Sequence, residues 1–186
     1  MKGTQAVRNN TGGVASARYV SLMGMLFALA MVLSFLEGML PVLPAMPPGV
    51  KLGLSNIVTM YTLFFLGRRS AYTIAVLKSL FVLMLRGPVG ASLSLAGGLL
   101  SVTVMLLLMA LPQEPSKLIL SVCGAVFHNI GQLLMSVAVL KSAFAFAYLP
   151  VMILSGVAMG LLTAMLLKLL LPYLSRLDHI FQKRTQ

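Results

Sequence analysis

Charge is what this sequence has least of. Only 9% of its 186 residues are charged and 59% are hydrophobic, with a mean hydropathy of +1.00. A soluble domain of this length needs far more charge to cover its surface, so a soluble fold is excluded. Acidic residues number three, Glu37, Glu114 and Asp178, and no two are close in sequence. Chemistry on diphosphates through Mg²⁺ draws on clustered carboxylates, which this chain does not have. The single cysteine, Cys123, cannot pair within the chain and reads as a small buried apolar residue. His128 and His179 fall on opposite sides of the expected membrane, too far apart to share a metal ion. No GxxxxGK[ST] loop is present to cradle ATP. These absences together predict a protein that is not an enzyme, with no metal site and no covalently bound cofactor.

What is there is apolar length. Six hydrophobic segments are bounded by breakers, at about Tyr19–Leu40, Leu52–Leu66, Ala71–Leu85, Ser92–Leu111, Lys117–Leu140 and Leu149–Leu171. Runs near twenty residues match a hydrocarbon core of roughly 30 Å. The second and third are short for full spans. The expected fold is therefore an all-α integral membrane protein of six transmembrane helices. The first run is too long for a signal-peptide core and has no convincing cleavage site, so it reads as a retained span.

The net charge of +11 would suggest nucleic acid in a soluble protein; here it orients helices and meets anionic lipid. With the N-terminus inside, Lys2, Arg8, Arg18, Arg68, Arg69, Lys117, Arg176, Lys183 and Arg184 lie on the cytoplasmic side. Only Lys51, Arg86 and Lys141 lie outside, while Lys78 and Lys168 fall within spans. That bias predicts cytoplasmic N and C termini. The expected organisation is a flexible cytoplasmic tail over 1–17, a membrane domain over 18–172 and a basic cytoplasmic tail over 173–186.

Ionisable and amide side chains inside lipid cost several kcal/mol unless they face a cavity or a partner. Glu37, Lys51, Asn56, Lys78, Arg86, His128, Asn129 and Gln132 all fall at or above the midplane on the outer side. On the fifth segment, His128, Asn129 and Gln132 are spaced by three and four, as one polar stripe extended by Ser121, Ala125 and Ser136. Two readings stand. Such groups can tie a bundle together through interhelical hydrogen bonds or a Lys78–Glu37 ion pair. Alternatively they line an outward-facing pocket whose excess positive charge favours an anionic or polar-headed small molecule.

Ala17, Ser21, Gly24 and Ala28 form a strip of small residues on the first segment, suited either to internal packing or to docking of a separate membrane subunit. "SLAGGLLS", 94 to 101, can serve close helix approach, a kink or approach of a ligand. "PPGVKLGLSN", 47 to 56, is either a plain turn between helices or the gate of the pocket.

Three stretches, "PPGVKLGLSNIVTM" (47 to 60), "SLSLAGGLLS" (92 to 101) and "GAVFHNIGQL" (124 to 133), resemble the Gx transporter family, also labelled heptaprenyl diphosphate synthase component I. That family is similar to the S components of energy-coupling factor transporters. The resemblance implies a six-helix bundle in a prokaryotic cytoplasmic membrane that captures a vitamin-like substrate outside. Its partners would be a transmembrane scaffold (T) subunit and two ATPase subunits. By the same resemblance the strip Ala17, Ser21, Gly24 and Ala28 contacts the scaffold, and the loop from Pro41 to Lys51 gates the pocket. The alternative is a membrane accessory or scaffold subunit of a prenyl-diphosphate, quinone or flavin-dependent electron-transfer system, with a flavin- or isoprenoid-related ligand. The aspartate-rich motifs of prenyl diphosphate synthases are absent, so the label does not imply that activity for the chain alone.

Overall fold

A computed structural model describes residues 3–39, 53–113, 115–141 and 143–183. Among them there is no strand. Five helices, α1 (Gly3–Met39), α2 (Asn56–Leu66), α3 (Arg68–Met109), α4 (Lys117–Leu140) and α5 (Leu149–Lys183), follow one another, with a 3-10 turn over Ala143–Tyr148 before α5. Four stretches are long and apolar enough to cross a membrane, Tyr19–Met39, Arg68–Met109, Lys117–Leu140 and Ala145–Leu169. The chain is a multi-pass membrane protein by that measure.

The third and fourth expected segments are the two limbs of α3. Gly87 breaks its helical path with φ 73° and ψ −172°, and Pro88 follows. That φ is accessible to glycine at no steric cost. The limbs, 68–86 and 88–109, fold back on each other: the Tyr72 and Thr103 hydroxyls are hydrogen-bonded at 2.9 Å. Thirty-one residues on a continuous helix would separate them by roughly 46 Å.

The second expected segment shortens most. Gly53 adopts φ +91°, and the Asn56 N–H closes a turn onto its carbonyl at 2.8 Å, so α2 begins only at Asn56. Its 11 residues are too few to cross a bilayer unaided. At the other ends, α4 keeps the expected bounds, with Ser116 accepting from the Ile119 N–H at 3.3 Å as its cap. α1 and α5 continue as helix into the stretches expected as tails.

α4 is the central helix, packed against α3 on one side and α5 on the other. α1 lies at the periphery, against α2 and α3. It buries a narrow stripe, Leu26, Ala30, Ser34 and Glu37, and leaves most of its other apolar side chains exposed. Leu26 and Ala30 pack on Val58 and Ile74, while Met60, Leu63, Ala71, Val102 and Met105 form a second cluster between α2 and the α3 limbs. Arg68, Arg69 and Lys117 are exposed together at one end of the bundle, the basic end. The hairpin turn at Gly87 lies at the opposite end.

α4 and α5 touch through backbone. A Cβ at Gly160 would lie 2.4 Å from the Val122 Cα, so the helices cannot keep this spacing with any side chain there. Gly160→Ala is expected to cost about 1–3 kcal/mol, read as a lower midpoint of thermal unfolding in detergent.

Candidate functional site

At the hairpin end, α1, the start of α2, both limbs of α3 and α4 surround one small cavity. Its lining includes Ser34, Glu37, Gly53, Lys78, Arg86, His128 and Gln132. Lys78, Val82 and Arg86 follow one another at spacings of four, on a single face of the first limb. Lys78 is 1% exposed, His128 3% and Gln132 4%, whereas Arg86 is half-buried near the turn. The cavity measures about 20 Å³. That volume holds little more than one water molecule.

Contacts hold the walls. The backbone N–H of Gly53 donates to a carboxylate oxygen of Glu37, closing the start of α2 onto the end of α1. The charge of Glu37 also acts on Arg86. The Gln132 amide nitrogen meets His128 Nε2 at 2.6 Å. His128 itself is gripped between two glycines. A Cβ on Gly97 would fall 3.0 Å from His128 Cε1 and 2.8 Å from its carbonyl oxygen, and one on Gly53 would fall 3.2 Å from Cδ2. The adjacent Gly98 faces Ala75 at 3.3 Å. The paired glycines of "SLAGGLLS" therefore serve close approach of helices on both sides.

Five of the eight expected binding residues, Glu37, Lys78, Arg86, His128 and Gln132, line this cavity. Three do not. Lys51 lies outside the described residues, as does the expected gate from Pro41 to Lys51. Asn56 lies just beneath the cavity and donates to Ser101 Oγ at 3.3 Å. Asn129 points away from His128, into the α4–α5 interface, where its amide donates to the Met152 carbonyl at 2.9 Å and to Ser155 Oγ at 3.0 Å. The polar stripe of α4 thus divides. Adjacent positions on a helix lie about 100° apart, and both of these faces of α4 are buried against different neighbours. Ser34 and Ser94 join the lining unforeseen, and so does the Gly53 amide, which a search of side-chain types cannot reveal.

On α1, Ala17, Ser21, Gly24 and Ala28 are all exposed, and a Cβ at Gly24 would meet nothing within 4 Å. At 100° per residue they lie on the side opposite Leu26, Ala30, Ser34 and Glu37. Among the described residues, internal packing does not use this strip.

A model of the family described as heptaprenyl diphosphate synthase component I matches residues 26–170, more than three quarters of the chain. The chain belongs to this family. Component I, by its name, is one part of a multi-component synthase system, and the matched residues contain every wall of the cavity. Neither a curated protein nor a solved structure matches the chain.

Because Asn129 ties α4 to α5 and does not face the cavity, Asn129→Ala is expected to lower stability by about 1–3 kcal/mol. Thermal unfolding measures this, and the geometry of the His128–Gln132 pair, followed by the imidazole NMR signals, is expected to stay unchanged.

Proposed function

We propose that this chain is the substrate-binding membrane subunit of an importer of the energy-coupling factor type. It captures a small anionic or polar-headed solute at the hairpin end of the bundle. In this reading six helical limbs, including short α2, make up the membrane domain over 18–172, the hairpin end faces outward and both basic tails are cytoplasmic. The observation that carries it is convergence: Glu37, Lys78, Arg86, His128 and Gln132 reach one cavity from three separate helices. A protein that needed polar residues only to bind its helices together has no reason to place two cations, Lys78 and Arg86, on one cavity-facing side of one limb.

Lys78 and Arg86 supply the attraction for an anion, and the Gln132 amide and His128 ring supply directed hydrogen bonds. Glu37 competes with the anion for Arg86 and holds Gly53 down. The cavity of about 20 Å³ is too small for any solute larger than water, so binding one requires its walls to move apart. Energy comes from partner ATPases, reached through a scaffold subunit that docks on the exposed strip Ala17, Ser21, Gly24 and Ala28.

A second reading draws on the family name itself. The chain is then the membrane accessory subunit of a prenyl-diphosphate or quinone system, and the paired cations meet the diphosphate of an isoprenoid whose tail stays in lipid.

Purified protein is expected to carry or bind an extractable small anion identifiable by mass spectrometry. Lys78→Ala is expected to weaken that binding at least about thirtyfold, the equivalent of roughly 2 kcal/mol for a lost buried charge contact. A protein that binds nothing from a metabolite extract, yet co-isolates with a prenyl synthase, refutes the importer reading in favour of the second one. Gly24→Leu is expected to leave the thermal midpoint unchanged while reducing recovery of the scaffold and ATPase subunits on co-purification; an unchanged complex counts against docking on this strip.

A further inference from the structure

Beneath the cavity, on the side toward the basic end, lies a second group of buried polar side chains. Asn56 and His128 both lie beside Gly53 at its top: a Cβ at Gly53 would be 3.6 Å from His128 Nε2 and 3.9 Å from the Asn56 Cβ. Asn56 donates its amide to Ser101 Oγ, and Ser101 donates to the Gly124 carbonyl at 2.7 Å. One turn further, Thr59 follows Asn56 along α2, and Ser121 lies a turn from Gly124 along α4. The four side chains Asn56, Thr59, Ser101 and Ser121 are each 4% exposed or less. Among the described residues, three of their oxygens, Asn56 Oδ1, Thr59 Oγ1 and Ser121 Oγ, make no hydrogen bond to any protein group.

Three orphan oxygens in one part of a membrane bundle call for an occupant, since each buried polar atom without a partner is costly. We propose that internal water molecules occupy this position, between α2, the second limb of α3 and α4, and extend the cavity inward from His128 to Ser121. Water suits the group in both directions. It donates to Asn56 Oδ1 and accepts from the Thr59 and Ser121 hydroxyls, whose hydrogens a cation could not satisfy. No carboxylate belongs to the group, which further disfavours a metal ion here. The waters end at Met60, Leu63, Val102 and Met105, the apolar cluster that seals the bundle below. This site does not depend on what the cavity above binds. Its consequence is that the cavity floor is a wet, exchangeable layer in place of a dry wall.

Radiolytic hydroxyl labelling of the wild-type protein in H₂¹⁸O tests the proposal. Internal water generates radicals beside it that bulk solvent cannot deliver, and Met60 and Met105 are both fully buried beside the site. Both are expected to take up ¹⁸O within millisecond exposures, and the double variant with Thr59→Val and Ser121→Ala is expected to lose that uptake several-fold. Thr59→Val alone replaces an orphan hydroxyl by a methyl of the same shape. It is expected to lower the thermal midpoint by about 2–4 °C if water is bound there. Unlabelled Met60 and Met105 in the wild type, or a Thr59→Val variant with a raised midpoint, overturns the proposal.

Discussion

An ammonium group held inside a hydrophobic bundle is the constraint around which the rest is arranged. Lys78 lies near the middle of the first α3 limb and is 1% exposed. At such a position a charged side chain costs several kcal/mol even with snorkelling, and the mostly apolar stretch 79–85 stands between it and Arg86 beside the turn. The sequence answers with a ring of polar groups from other helices: Glu37 and Ser34 from α1, the Gly53 amide from the start of α2, His128 and Gln132 from α4. To bring these within reach the helices must approach closely. That is why glycine recurs at Gly97, opposite the His128 backbone. The polar site and the small-residue packing are one solution to one problem.

Much of this was legible from residue order alone. Apolar length between breakers located every helical limb, and the Arg86-Gly87-Pro88 break marked the hairpin turn, because no alternative residue type serves there as cheaply. The bounds of α4 follow from Ser116 and from the left-handed Lys141 at its end. What sequence did not reveal has a common physical cause. Hydrophobicity distinguishes buried from lipid-facing faces poorly when both are apolar, and α4 has two protein-facing sides. His128 and Asn129 look equivalent as polar residues in lipid, yet one meets the cavity and the other α5. The glycines of residues 47 to 56 announced a turn, but the role of the Gly53 amide as donor to Glu37 carries no side-chain signature.

The small-residue strip illustrates the converse. Its spacing was plain, but a strip of this kind fits a neighbour in the same chain as well as one in another. Only the position of the buried stripe Leu26, Ala30, Ser34 and Glu37 separates those uses, by occupying the opposite side of the helix. α1 is then a helix with two assignments, a wall of the cavity on one side and a bare, closely approachable surface on the other.

Those two assignments are mechanically connected. Among the described residues α1 packs against α2 and α3 alone, and its contact nearest the cavity joins Glu37 to the Gly53 amide. Sixteen residues into α1, at the basic end of the bundle, the Tyr19 and Ser70 hydroxyls are hydrogen-bonded at 2.8 Å, so α1 is held at two points along its buried side. A solute that draws Arg86 or displaces Gly53 acts on Glu37, and Glu37 is part of α1. On the importer reading, opening of the cavity would therefore displace α1, and a partner docked on the strip of that same helix would sense the change.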